Sequence, residues 1–304
     1  MSTERIQTQL RETVRKLFDE GKIDLLIGYE TGPGNGRSRP AIITRAQDVE
    51  KLVWNRHCGN NLATYLPRYF QVTPTKPGEA VKLPRVGIVA KGCDARSIVN
   101  LVRERQVPRE NVVVIGVPCE GLLDPETGEL DPYCAACAFP VPEAVDVRIE
   151  GESRKPATED RHREVEEFAK LPPEQRRQAF LDEISKCIRC YACRQACPNC
   201  YCKECFAEQT LPKWIGVGNR TADLVAFHLG RIFHQAGRCV GCGACARACP
   251  MAIDLRKFTD NIVKDIEDLF HYTPGFDAEE KAPLTTFRED DSDSFISDPE
   301  AEKK

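Results

Sequence analysis

Apolar and polar positions alternate in two different rhythms along this chain. Ile6, Leu10, Val14 and Leu17 recur at steps of four and three, which lays one apolar stripe along a helix over 4–20. Ile23 to Tyr29 and Ala41 to Thr44 read as strands, with a helix expected from Arg45 to Trp54 and a shorter one ending near Phe70. Pro84–Lys91 and Val112–Val117 are short, nearly continuous apolar runs of the kind that forms buried strands. Between them Asp94 is placed to cap a helix whose core face carries Ile98, Val99 and Val102. Strand, turn, helix and strand make a βαβ unit, and Ala144–Ile149 adds a further strand.

Beyond a charged stretch at 151–162 the rhythm is helical, with helices expected at 163–170, from Pro173 through Ile184, at 221–236 and at 256–270. The pattern therefore predicts an α/β N-terminal domain (1–150) with a small, mostly parallel sheet. A linker with helices (151–186), a mainly α-helical domain (187–272) and an extended, acidic C-terminal tail (273–304) follow. In the tail Phe276, Phe287 and Phe295 are spaced as anchors for a docking arm; the plainer reading is a solvated tail.

Composition narrows the class. The 304 residues carry a net charge of -4 and 16 cysteines. The charge offers no footprint for nucleic acid. No apolar run reaches the length of a membrane span, and the first residues are polar. So many cysteines without a secretory signal point to metal binding in the reducing cytoplasm, not to a disulfide framework.

Eight of those cysteines fall in two runs. Cys187-Ile-Arg-Cys190-Tyr-Ala-Cys193-Arg-Gln-Ala-Cys197-Pro198 and Cys239-Val-Gly-Cys242-Gly-Ala-Cys245-Ala-Arg-Ala-Cys249-Pro250 share the spacing of two-cluster bacterial ferredoxins. Three closely spaced thiolates wrap one cluster, and the fourth reaches the other. Cys187, Cys190 and Cys193 are thus expected to share a [4Fe–4S] cluster with Cys249, and Cys239, Cys242 and Cys245 to share one with Cys197. Zinc is the alternative, but it prefers separated cysteine pairs.

Other residues carry further chemistry. Cys93 and Cys119 both sit at carboxyl ends of strands, where open α/β sheets collect ligands, so they could face one site. The glycine-rich loop Thr31–Pro40 places Arg37 and Arg39 where they could cradle a phosphate or flavin, with Arg96 a third candidate. That loop lacks a GxGxxG pattern, and a plain hairpin between Ile27 and Ile42 explains it as well. His228, on an apolar helix face, reads as a core histidine.

The strand at Ile23–Tyr29, the strand end at Ile43-Thr44, the unit around Cys93, Gly116-Val-Pro-Cys119 and the pair Cys134-Ala-Ala-Cys137 ahead of Ala144-Val-Asp-Val147 carry a resemblance. Over residues 20–150 the chain resembles the beta subunit family of deazaflavin coenzyme (F-420) hydrogenases and dehydrogenases. The resemblance implies an iron–sulfur flavoprotein module with one [4Fe–4S] cluster beside FAD, and ligands at Cys93, Cys119, Cys134 and Cys137. Residues 187–270 are similar to the dicluster subunits of heterodisulfide reductases and succinate dehydrogenases.

Four cysteines remain. Cys200, Cys202 and Cys205 are close in sequence, and with the remote Cys58 they make a workable fourth cluster set bridging the domains. Zinc and free reduced thiols are alternatives. The functional expectation is an iron–sulfur electron-transfer subunit of an oxidoreductase complex. It would relay single electrons between a catalytic subunit (hydrogenase, formate dehydrogenase or heterodisulfide reductase-like) and a soluble carrier. The alternative is an FAD-containing enzyme subunit that reduces a deazaflavin, ferredoxin or nicotinamide.

Overall fold

The computed structural model describes residues 3–34, 37–71, 82–157 and 161–285. Helix α1 (Thr3–Asp19) buries the expected stripe of Ile6, Leu10, Val14 and Leu17. Strands β1 (Leu25–Thr31) and β2 (Ser38–Ile43) form an antiparallel hairpin with Ile27 opposite Ile42. A short helix α2 (Pro67–Phe70) precedes β3 (Val86–Ala90), α3 (Gly92–Arg103) and β4 (Val112–Gly116). β3 and β4 pair in parallel across α3, which is the predicted βαβ unit. After α4 (Pro132–Ala135), β5 (Val147–Arg148) closes a sheet of order β2-β1-β3-β4-β5. Every residue of β3 is buried, as expected for a parallel strand covered on both faces.

Two elements differ from expectation. The helix expected from Arg45 to Trp54 is a 3-10 turn over Ala46–Lys51. Leu52 and Trp54 are drawn into the core, and Val53 donates its N–H to Tyr29 O, so the chain must extend there. The strand expected from Ala144 shrinks to Val147–Arg148 because the Asp146 carboxylate takes the Val114 N–H that a longer ladder would use (2.7 Å).

The second half is helical: α5 (Arg163–Ala169), α6 (Pro173–Ser185), α7 (Ala192–Gln195), α8 (Thr221–Phe233), α9 (Ala244–Arg247) and α10 (Arg256–Phe270). Ile184, Leu224, Ile253 and Leu255 form one of its small cores. Among the described residues no helix is long and apolar enough to cross a membrane.

Polar bridges fasten the helical half to the sheet. Arg238, the residue before Cys239, grips Glu104 with two bonds of 2.7 Å, and Tyr201 donates its hydroxyl to the same carboxylate. Arg96 donates to Pro274 O and Val240 O. The chain after residue 273 is therefore not extended at its start. Phe276 stands edge-on to Phe139 at 4.9 Å, beneath the Arg96 guanidinium. Phe287 and Phe295 lie outside the described residues.

Candidate metal centres

The sheet delivers the first group of thiols. Cys93 lies in the opening turn of α3, directly after β3. A side chain at Gly92 would put its Cβ 2.0 Å from Phe139 O, so only glycine lets this turn approach the 139–140 segment. Cys119 follows β4, Cys134 lies in α4, and Cys137 comes just after it. Asp131 caps α4 by accepting the N–H groups of Tyr133 and Cys134. All four thiols line one cavity of about 310 Å³. Backbone N–H groups point at sulfur there, Gly121 to Cys119 Sγ (3.4 Å) and Leu122 to Cys134 Sγ (3.3 Å). Such bonds stabilise a thiolate ligand and tune its metal.

The two runs fold alike. In the first, Tyr191 at φ 61° precedes the single turn α7; in the second, Gly243 at φ 68° precedes α9. Arg189 N–H points at Cys187 Sγ (3.3 Å). Cys187, Cys190, Cys193 and Cys249 line a second, tighter cavity together with Cys245, Tyr133, His228 and Arg231.

Burial and mutual repulsion raise most of these thiols. Burial pushes Cys193 up to about 11, and Cys245, Cys187 and Cys249 add to the rise against the pull of Arg231. Burial also pushes Cys242 up to about 11, with Cys197 and Cys245 adding to it. Cys93 is driven well above the ordinary thiol range by burial and Asp94, with Cys242 and Cys119 contributing. Cys119 rises to about 11 through burial, with Cys134 and Cys137 contributing. The two cavities gather Cys93, Cys119, Cys134 and Cys137 with Cys242, and Cys187, Cys190, Cys193 and Cys249 with Cys245. Cys242 thus shares a cavity with Cys93, and Cys245 shares one with Cys193.

The donor chemistry suits a cation-rich cluster. Buried thiols that raise one another cannot all ionise unless a positive centre joins them. Among the described residues no three His, Cys, Asp or Glu side chains converge closely enough to hold a single metal ion. An iron–sulfur cubane takes each thiolate on a different iron, so its donors surround a body instead of meeting at a point. Fixed cations lie ready to offset the negative charge of a thiolate cluster. Arg231 is buried and donates to Cys193 O; burial opposes its charge, but Cys245, Cys193, Cys197 and Cys200 hold it on. Its Nε and both ring nitrogens of His228 lack hydrogen-bond partners among the described residues, and both side chains line the second cavity. Arg247 joins the halves by donating to Asp131, Gly59 O and Cys242 O. Lys91 is buried beside Cys93; burial opposes its charge, but Asp94 (2.8 Å) and Tyr29 keep the ammonium charged.

Sequence reasoning missed Arg231, Arg247, Lys91 and Tyr133. Tyr133 lines both cavities, and its ring lies against Gly243. The one available signal was Lys91, a charge ending an otherwise apolar strand.

Other expected site residues have different surroundings. Cys58 is fully buried in the core of the sheet domain, with Ser38 and Asn55 as its hydrogen-bond partners. Cys200 instead hydrogen-bonds Cys197, which pulls its thiol down. Cys205 packs near Ala207 and Phe227, and Cys202 is exposed. The three are not gathered around Cys58. Arg37 and Arg39 are exposed and pair with Glu126 and Glu30. Asn35 and Gly36 of their loop lie outside the described residues. Arg96 is occupied by the carbonyls of Pro274 and Val240. Arg96 lines the 310 Å³ cavity, whereas Arg37 and Arg39 are not among its lining residues. His228 is a buried, neutral core histidine, its pKa lowered to about 4 by burial and by Arg231.

Comparison with known proteins agrees with this chemistry. The 4Fe-4S binding domain model matches residues 233–253, the second run. The F420-dependent formate dehydrogenase subunit beta of Methanocaldococcus jannaschii is 22% identical, covering 86% of this chain and 89% of that protein. The F420-dependent formate dehydrogenase 1 subunit beta of Methanococcus maripaludis has the same identity and coverage. The chain resembles the beta subunits of F420-dependent formate dehydrogenases. The similarity runs through both the sheet and the helical half. With the matched 4Fe-4S segment, it marks the chain as an iron–sulfur electron-transfer subunit of an oxidoreductase.

Proposed function

We propose that the chain holds three [4Fe–4S] clusters and relays single electrons between a catalytic subunit and a redox carrier. The observation that supports this reading is that the second run reaches both cavities, Cys242 lining one with Cys93, Cys119, Cys134 and Cys137, and Cys245 lining the other with Cys187, Cys190, Cys193 and Cys249. Cys187, Cys190, Cys193 and Cys249 would hold one cluster; Cys239, Cys242, Cys245 and Cys197 a second; Cys93, Cys119, Cys134 and Cys137 a third. A bound [4Fe–4S] cluster supplies one-electron exchange with little structural change. Arg231, Arg247 and Lys91 supply fixed positive charge beside the thiolates. Tyr133 lines both cavities.

The relatives' names favour formate dehydrogenase as the catalytic partner over a hydrogenase or heterodisulfide reductase-like enzyme. Reduced thiols belong in the cytoplasm. The proposal keeps an α/β unit to about residue 150 and a ferredoxin-like dicluster unit over 187–272. It leaves Cys58, Cys200, Cys202 and Cys205 without a fourth cluster.

The test is electron paramagnetic resonance of the dithionite-reduced protein. Neighbouring reduced clusters broaden one another's signals. Cys242→Ser should remove one cluster and leave two sharp, non-interacting signals. Unchanged broadening would sink the reading.

A second reading is favoured by the relatives' dependence on F420 and by the cationic wall of the 310 Å³ cavity, which includes Arg154, Arg161, Arg256 and Lys257. In it FAD is bound and a deazaflavin, ferredoxin or nicotinamide is reduced. Flavin released on acid denaturation of the purified protein would establish it, and flavin-free protein with full iron content would reject it.

A further inference from the structure

We propose that the face above Cys190 is the docking surface for an acidic electron-transfer protein. This rests on the relay reading and adds to it the site and charge of one partner.

Cys190 is the exposed thiol of its group. Ile188 and Met251, both part-exposed, rim the same cavity. Beside them, a segment spanning residues 209–219 presents Leu211 (94% exposed), Trp214 (65%) and Val217 (87%) to solvent. Ile188, two residues from Cys190, lines one groove with Val217 of that segment, and contiguous exposed apolar side chains mark a contact site.

The segment is built, not loose. Arg189, between Cys187 and Cys190, donates to the carbonyls of Gly216 and Gly218. Asp223 accepts the Gly216 N–H at 2.7 Å, and Trp214 Nε1 donates to Gln209. The cysteine run thus holds the apolar segment in place. A groove of about 550 Å³ runs between Ile188 and Val217 with Lys213 on its wall.

Charge chooses the occupant. The whole chain is acidic, at -4, yet residues 186–220 hold six lysines and arginines against two glutamates. Lys203, Lys213 and Arg220 are exposed and have no ion pair among the described residues. A groove with Lys213 on its wall, and with its lining carboxylate Glu208 already paired to Arg194, complements a partner with carboxylates around its own apolar contact. Electron-transfer encounters are small and transient, which suits a patch of this size.

The test measures electron exchange between the iron-loaded, dithionite-reduced protein and an acidic [2Fe–2S] ferredoxin by stopped flow. A basic cytochrome c and a small viologen serve as controls. The rate with ferredoxin should fall about tenfold between low salt and about 300 mM salt, because screening removes steering. The double variant Lys213→Glu, Arg220→Glu should lose about tenfold at low salt, and Trp214→Ser about fivefold. Exchange with viologen should be unchanged in both variants. Rates that ignore salt and both variants, with iron content intact, would overturn the docking surface while leaving the relay standing. Concentration-dependent dimerisation abolished by Trp214→Ser would also overturn it, in favour of a second copy of this chain. Protein that holds no reducible iron would instead reject the relay reading itself.

Discussion

In the second cysteine run the residues at the two left-handed positions are Gly241 and Gly243, both at φ 68°; in the first run they are Arg189 at φ 54° and Tyr191 at φ 61°. The backbone is the same, and the 4Fe-4S binding domain model matches the glycine version. Holding a side chain in that conformation costs about 1 kcal/mol each. The first run tolerates the cost because both side chains are used. Arg189 holds the exposed segment through Gly216 and Gly218 and donates to Tyr191 Oη (2.8 Å). Tyr191 stacks edge-on against Phe227 at 5.4 Å. The second run has no such duty. It is pressed between the halves of the molecule, where Gly243 meets Tyr133 and Arg247. One run is therefore shaped for an interior and the other for a surface.

Substitutions can break that contrast. Gly243→Ala should have the largest effect. Its Cβ would lie 2.7 Å from the Tyr133 ring and from Arg247, in addition to the left-handed strain. A loss of about 3 kcal/mol is expected in urea unfolding. A loss below about 1 kcal/mol would mean the second run is not tightly enclosed.

The next effect depends on pH and belongs to the first run. His228 titrates near 4 when folded against 6.5 when free, so the unfolded chain takes up the proton first as pH falls. Stability is therefore full above pH 6.5 and declines through the window down to about pH 4. About 1.4 kcal/mol should be lost between pH 7.5 and 5.5, and His228→Leu should remove that part of the dependence. An unchanged slope in the variant would assign the acid sensitivity elsewhere.

Gly241→Ala is a milder probe. Nothing lies within 4 Å of its Cβ, so only the left-handed conformation opposes it. About 1 kcal/mol should be lost, clearly less than at Gly243. Arg189→Gly should change global stability least. It relieves about 1 kcal/mol of strain but releases the segment. Limited proteolysis should then cut within 209–220 faster than in the parent, with iron content unchanged.

The sequence made the parts that depend on local pattern readable. Continuous apolar runs announced β3 and β4, and the cysteine spacing announced both runs. Placing Cys93 and Cys119 at adjacent strand ends followed from the βαβ rule, and the structure brings them to one cavity. What stayed hidden depends on contacts between distant residues. The turn at 46–51 gives way because Leu52 and Trp54 are drawn into the core. Cys58 is a core residue because Ser38 and Asn55 surround it, and no spacing rule announces that. The bonds from Arg96 to Pro274 O could not be foreseen either, because they join residues far apart in the chain. Tyr133 and Arg231 are a lone aromatic and a lone cation in sequence, and they matter only because α4 and α8 bring them to the thiols.

The central claim is that three thiol groups, not two, hold clusters, so the most direct measurement is iron and acid-labile sulfide per chain in anaerobically purified protein. The account predicts about 12 of each, falling to about 8 in Cys119→Ser. About 8 in the parent, unchanged by Cys119→Ser, would contradict it, because the group in the sheet domain would then hold no cluster.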